Sequence, residues 1–285
     1  MTLSIQELGD WTAFPVTAAL CGASGAINGP SASRRALAAV LVALTLFTPW
    51  LASTGSPVTR FLCACGGVLA VFRNLDLYRD RNDWGPIRRG AHVLSAIDSR
   101  SFERLRPFID RAAWARVVGF GLLTAITASL LRRGALYSSA AGDCPIRWFI
   151  GAIWAYCSAE TLLAVLLASF HLGGVGVPRL HDNPILSRTL REFWGCRWNL
   201  VVHRMLLEHC FRPLMRRTNV SGAVLGAFVA SAALHFWVTL AAAGFGMAAS
   251  MATFFLIQAM LVIIEQHARV QRWHPVLQHV WSVSC

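Results

Sequence analysis

The chain has 285 residues, 55% of them hydrophobic and 14% charged, with a mean hydropathy of +0.51. Apolar runs close to the roughly 20 residues that cross a bilayer recur along it, which excludes an ordinary water-soluble domain. The net charge of +12 comes from arginine, since the chain has no lysine; on such a chain arginine marks loop sidedness and anionic headgroups, not nucleic acid.

In chain order the apolar runs are residues 14–27 (short, and interrupted by Pro15), 37–51, 58–72, 114–131, 146–172, 221–245 and 247–265. They predict an all-α, polytopic bundle of about 6–8 membrane helices. The last two runs are separated by almost no loop, which predicts an antiparallel hairpin. The first eleven residues are polar and lack a basic start, so no cleaved signal peptide is expected. Two polar stretches, residues 73–113 and 173–220, hold most of the arginines. The positive-inside rule puts both in the cytoplasm, and the two apolar runs between them keep that parity. The 8 cysteines form no CxxC pair and mostly adjoin apolar runs, so they read as small buried hydrophobes. No internal repeat stands out, and a single integral membrane domain over residues 1–285 is expected.

Two features carry chemistry. His235 lies inside the run 221–245, preceded by Ala230, Ser231, Ala232 and Ala233. An ionisable group in mid-membrane is costly and marks function or an interhelical hydrogen bond, and small neighbours let other helices approach it. Removal from water keeps the imidazole neutral and able to act as a base. The second feature is residues 183–199. Asn183 and Pro184 read as a helix start, and Leu190, Trp194, Trp198 and Val201 fall at helical spacing with Phe193 and Arg197 beside them. This predicts one amphipathic helix on the cytoplasmic side, which by itself would be an interfacial anchor.

The order Pro184, Ser187, Phe193, Trp194, Arg197, Trp198, Asn199, followed by His235 on an apolar helix, resembles the signature of the membrane-bound O-acyltransferases, specifically the wax synthase-like branch. The likeness is carried by residues 183–265. It implies His235 as catalytic base and Asn199 as its polar partner. It further implies acyl-CoA as co-substrate with no separate cofactor, no metal, and a lipophilic alcohol as acceptor. A base must take the hydroxyl proton as the alcohol attacks a thioester, and a dry chamber favours transfer over hydrolysis. Phe193, Trp194 and Trp198 would shape the chamber wall, while Arg197, with Arg188 and Arg191 behind it, would suit the coenzyme A phosphates. A long-chain alcohol, giving a wax ester, is the first acceptor implied; a terpenoid, sterol or other natural-product hydroxyl is the second. Two departures stand out: Phe236 follows the histidine where relatives often carry an acid, and the chain stops at Cys285, where relatives often continue.

Glu160, inside the run 146–172, is expected to line the chamber or to pair with His171. Glu265 ends its run, where interfacial solvation would suffice. His267, His274 and His279 show no metal-ligand spacing. Asp76, Asp80 and Asp83 resemble the magnesium-binding loop of a membrane prenyltransferase, but Arg73, Arg79 and Arg81 interleave and neutralise them. A small transporter or scaffold using His235 and Glu160 is the non-enzyme alternative, although no paired halves are visible.

Overall fold

The computed structural model describes residues 5–52, 56–80, 83–137, 144–178 and 180–285. Arg81 and Arg179 lie outside the described residues. Among the described residues twelve α-helices follow one another: α1 (Ile5–Ile27), α2 (Ala32–Phe47), α3 (Pro57–Arg79), α4 (Pro86–Leu94), α5 (Arg111–Tyr137), α6 (Cys144–Leu172), α7 (Leu190–Glu192), α8 (Leu200–Leu206), α9 (Arg212–Met215), α10 (Val220–Ala243), α11 (Phe245–His267) and α12 (Pro275–Ser284). Among the described residues, six segments are long and apolar enough to cross a membrane: Ala32–Leu51, Pro57–Arg79, Arg111–Arg133, Ile146–Leu172, Val220–Ala243 and Phe245–His267. Residues Thr12–Ile27 form a shorter apolar helix; α1 runs on through Pro15. The chain is an all-α, polytopic integral membrane protein.

Helix starts follow local chemistry. Ser31, Ser56 and Asn219 cap α2, α3 and α10 by accepting from the backbone three residues on, which satisfies amides the helix itself leaves open. Pro57 then occupies the first position of α3, where no donor is needed.

Backbone contacts group the chain into two compact units, residues 1–99 with 183–285, and residues 100–182. In the first, α1 packs on α2, α3 and α4, and α3 packs on α10. The α1–α4 crossing is close because both sides lack side chains: a Cβ on Gly90 would sit 2.9 Å from the Gly22 carbonyl oxygen, and one on Gly25 would sit 2.6 Å from that of Arg89. The polar core of this unit centres on Asp76, only 3% exposed. Its carboxylate accepts from Arg73 at 3.0 Å and from His209 Nε2 at 2.9 Å, with His92 Nε2 at 3.6 Å. The arginine that is 3 residues upstream thus neutralises the aspartate within α3. Helices α10 and α11 pack along their length, joined by Gly244 alone. Its φ of +82° with ψ of 178° belongs to a backbone region essentially reserved for glycine, which permits so tight a hairpin.

The second unit is the pair α5 and α6 with a two-residue ladder, Glu103–Arg104 against Val175–Gly176. Asp110 caps α5 by accepting from Ala113 N at 2.9 Å and also bonds His171 Nδ1 at 2.8 Å. The Ala113 amide, and after it the His171 contact, hold the Asp110 carboxyl below its ordinary range against the opposing effect of burial.

Candidate active site

Residues 183–199 form no continuous helix. Asn183 takes a left-handed φ of +46° before a short 3-10 turn, Pro184–Leu186. Ser187 is extended, and α7 starts afresh at Thr189, whose hydroxyl accepts from Glu192 N at 3.0 Å. The Glu192 carboxylate reaches back to Arg188 N at 2.8 Å and accepts Arg197 Nε at 2.7 Å. Burial works to raise the Glu192 carboxyl, but these donors outweigh it and hold the group below its ordinary range. A π-turn, Phe193–Arg197, follows and stops at extended Trp198. Asn199, with φ of +38°, caps α8 by accepting from Val202 N at 3.3 Å. The single amphipathic helix expected from apolar spacing is therefore replaced by three short pieces. The reason is that extended Ser187 and Thr189 end the first turn, and extended Trp198 followed by left-handed Asn199, a conformation Asn tolerates better than most residues, ends the second.

This broken segment lies against the α10–α11 hairpin. Trp194 donates its indole N–H to Gln258 Oε1 at 3.0 Å and packs on Phe228 and Phe255 with centroids 5.8 and 5.6 Å away. Phe193 stacks on Trp198, centroids 5.5 Å apart at 12°. Between the segment and the hairpin lies a cavity of about 370 Å³, within the size range of small-molecule sites. On α10 its wall runs from Val220 to His235, about 22 Å at 1.5 Å per residue. His235 therefore stands deep in the cavity, well inside the span.

The His235 ring is fixed from both sides. Its Nδ1–H donates to the Ser231 carbonyl at 2.8 Å, and its face meets Phe255 with centroids 3.9 Å apart. Committing Nδ1 as donor leaves Nε2 as the basic nitrogen, and Nε2 has no protein partner among the described residues. Asn199 lines the same cavity. Because its Oδ1 caps α8, its free capacity is the Nδ2 donor. A basic imidazole nitrogen and an amide side chain thus belong to residues lining one largely apolar chamber.

Of the other residues singled out from sequence, Trp194, Trp198 and Arg191 line the cavity. Phe193 backs Trp198, Arg197 is held by Glu192, and the Arg188 side chain is exposed. Glu160 belongs to the second unit, buried at 1% exposure between Arg116 Nη2 at 2.5 Å and His181 Nδ1 at 2.9 Å. It does not pair with His171, which bonds Asp110 instead; the 11 residues between them on α6 amount to about 16 Å of rise. Among the described residues, the donor sets that could hold a metal are Asp76, His92 and Asp98, and Asp76, Glu208 and His209. In the first, the Arg73 guanidinium lies 3.0 Å from Asp76 and 4.0 Å from Asp98, supplying the positive charge that a magnesium site would otherwise need.

Two cavity residues escaped the sequence reading. His203 lines the chamber one turn beyond Asn199, and burial, with Arg204 adding, pushes its imidazole below the ordinary histidine range. Glu265, read as solvated at a helix end, is 2% exposed. It accepts Leu190 N at 2.6 Å, Arg191 N at 3.1 Å and Trp281 Nε1 at 3.1 Å. The available signal was spacing: Gln258 and Glu265, two polar residues seven apart, share one face of an otherwise apolar helix.

Residues 177–257 match the model of the membrane bound O-acyl transferase family. The chain is 30% identical over 152 residues to the probable long-chain-alcohol O-fatty-acyltransferase 7 of Arabidopsis thaliana, covering 46% of this chain and 43% of that protein. It is 34% identical over 90 residues to the long-chain-alcohol O-fatty-acyltransferase of Simmondsia chinensis, covering 28% and 25%. It is also 30% identical over 92 residues to the acyl-CoA–sterol O-acyltransferase 1 of Arabidopsis thaliana, covering 30% and 27%. The matched stretches thus span less than half of each of these relatives. Residues 177–257, which hold Trp194, Asn199 and His235 together, are thus the part of the chain that is similar to the membrane bound O-acyl transferase family, and the relatives it matches are named as long-chain-alcohol and sterol O-acyltransferases.

Proposed function

We propose that the protein transfers a fatty acyl group from acyl-CoA to a long-chain alcohol, giving a wax ester and free coenzyme A. The observation that carries this reading is the His235 imidazole, tied through Nδ1 to Ser231 so that Nε2 is the basic nitrogen, in the wall of a chamber shared with Asn199. His235 Nε2 takes the hydroxyl proton as the alcohol oxygen bonds to the thioester carbonyl carbon. The Asn199 amide donates to the carbonyl oxygen as it gains charge. Collapse of the tetrahedral adduct breaks the carbon–sulfur bond, and the leaving thiolate recovers the proton from His235. Neutral histidine is regenerated, and no cofactor is consumed.

Apolar walls formed by Trp194, Trp198, Phe228 and Phe255 exclude competing water. Arg191, which lines the chamber beside Glu265, is the arginine best placed for the coenzyme A phosphates. Arg188 lies beyond it on the surface, and Arg197 serves first to hold Glu192. In this reading residues 73–113 and 173–220 face the cytoplasm, where acyl-CoA is met, in the endoplasmic reticulum of a eukaryote or the cytoplasmic membrane of a bacterium. A sterol or related terpenoid hydroxyl is the second acceptor class, favoured by the likeness to a protein named for sterol acylation.

The test is ester formation from labelled palmitoyl-CoA with hexadecanol or a sterol, comparing the purified wild type with His235→Ala. Hexadecyl ester lost in a variant that still folds supports the reading. Sterol ester alone moves the acceptor to the second class. If wild type consumes no acyl-CoA with either acceptor, the proposal fails.

A further inference from the structure

Glu265 is a charged side chain placed where charge is expensive, and its surroundings say what holds it there. It is 2% exposed, on the same face of α11 as Phe255, Gln258 and Val262. Two of its three partners are consecutive backbone amides, Leu190 N at 2.6 Å and Arg191 N at 3.1 Å. These are the first amides of α7, which the helix cannot satisfy itself, and a carboxylate there is favoured by charge and by hydrogen bonding together. Two turns earlier on the same face, Gln258 takes the Trp194 indole N–H at 3.0 Å. The segment from Leu190 to Asn199 is short, broken and without a helix of its own length to stiffen it. Its placement against His235 therefore depends on these points of attachment to α11.

We propose that Glu265, assisted by Gln258, is a positioning residue: it clamps the backbone at Leu190 and Arg191 to α11 and so sets the distance from Asn199 and Trp194 to His235 across the chamber. The proposal rests on the acyl-transfer reading for its consequence in catalysis, but not for the clamp itself. Glu265 touches no reacting atom in this arrangement and acts through the segment it holds. A carboxylate accepts from both amides at once; a glutamine in its place keeps one acceptor oxygen and presents an NH2 to the second donor, so one amide loses its partner without loss of side-chain volume.

The experiment compares full-length wild type with Glu265→Gln and Glu265→Ala in detergent. Amide hydrogen exchange is read over peptides covering residues 188–199 and 220–243, and acyl transfer is measured to separate kcat from KM. In Glu265→Gln, exchange should quicken at Leu190 and Arg191 while α10 stays protected. The expected kcat falls about tenfold to a hundredfold, the scale of a misplaced catalytic group, with KM for palmitoyl-CoA within about twofold. Glu265→Asp, which restores the charge, should recover part of the protection and part of kcat. If Glu265→Ala fails to fold, the isosteric Gln and the shorter, charge-retaining Asp variants decide. Unchanged exchange at Leu190 and Arg191 in Glu265→Gln overturns the clamp. Faster exchange with unaltered kcat overturns its role in positioning. A wild type inactive toward every acceptor removes the acyl-transfer reading, and the exchange data still decide the clamp.

Discussion

Asn199 carries two loads that substitution can separate. Its backbone sits at φ of +38° and ψ of +62°, its Oδ1 caps α8 through Val202 N at 3.3 Å, and the residue lines the cavity. Asn199→Ala imposes a left-handed conformation on a residue with a Cβ and no local hydrogen bond, at about 1–2 kcal/mol, and removes the cap, at about 1 kcal/mol. Together these amount to about 2–3 kcal/mol of destabilisation. Asn199→Gly adopts the same backbone freely and loses only a few tenths of a kcal/mol at the cap. Asn199→Asp keeps both the acceptor and the tolerance for this conformation. All three remove the N–H donor that the proposed mechanism directs at the thioester carbonyl, a loss that typically costs about 10²–10³ in kcat. Thermal melting in detergent should therefore rank Ala below Gly and Asp, while ester formation should fall by a similar factor in all three. Wild-type kcat in the Gly and Asp variants, with loss confined to Ala, would refute a chemical role and leave Asn199 as a backbone residue alone.

Two other outcomes follow from the packing. Asp76→Ala leaves the buried Arg73 charge with only the more distant Asp98 carboxylate at 4.0 Å and the His209 Nε2–H without its acceptor, which should cost up to about 3–5 kcal/mol; a melting midpoint equal to wild type would show that this network contributes nothing. Asp110 has a folded pKa below its unfolded value, chiefly through the Ala113 amide and then His171. Its contribution is thus complete above the unfolded value of about 3.9 and is lost as pH falls through the lower folded value. Melting of wild type should decline across that acid window, and Asp110→Asn, which keeps a cap acceptor but no titratable charge, should flatten the decline; identical acid profiles would contradict this.

The membrane helices were readable because hydropathy over some 20 residues is a property of each segment by itself. Helix starts at Ser31, Ser56 and Asn219 were local for the same reason, since the capping side chain and its amide lie three residues apart. His235 was visible because a histidine inside an apolar run has few inexpensive explanations. Residues 183–199 were misread as one helix because apolar spacing is preserved across short helical pieces. Only the left-handed Asn183 and Asn199 and the extended Ser187 and Trp198 break it. Glu160 was placed by its rarity in a span, yet the geometry gives it to Arg116 and His181.

By itself, then, the sequence determined an all-α membrane bundle, the tight hairpin around His235, and the ordered residues Trp194, Asn199 and His235. Each of these follows from what a residue or a single segment does in lipid or in its own helix. The tertiary structure decided which nitrogen of His235 is free, which arginines are already engaged by acids, and that Glu265 is buried as a clamp on a segment 75 residues earlier in the chain. Those outcomes depend on which donor meets which acceptor across helices, and that pairing exists only once the helices have packed.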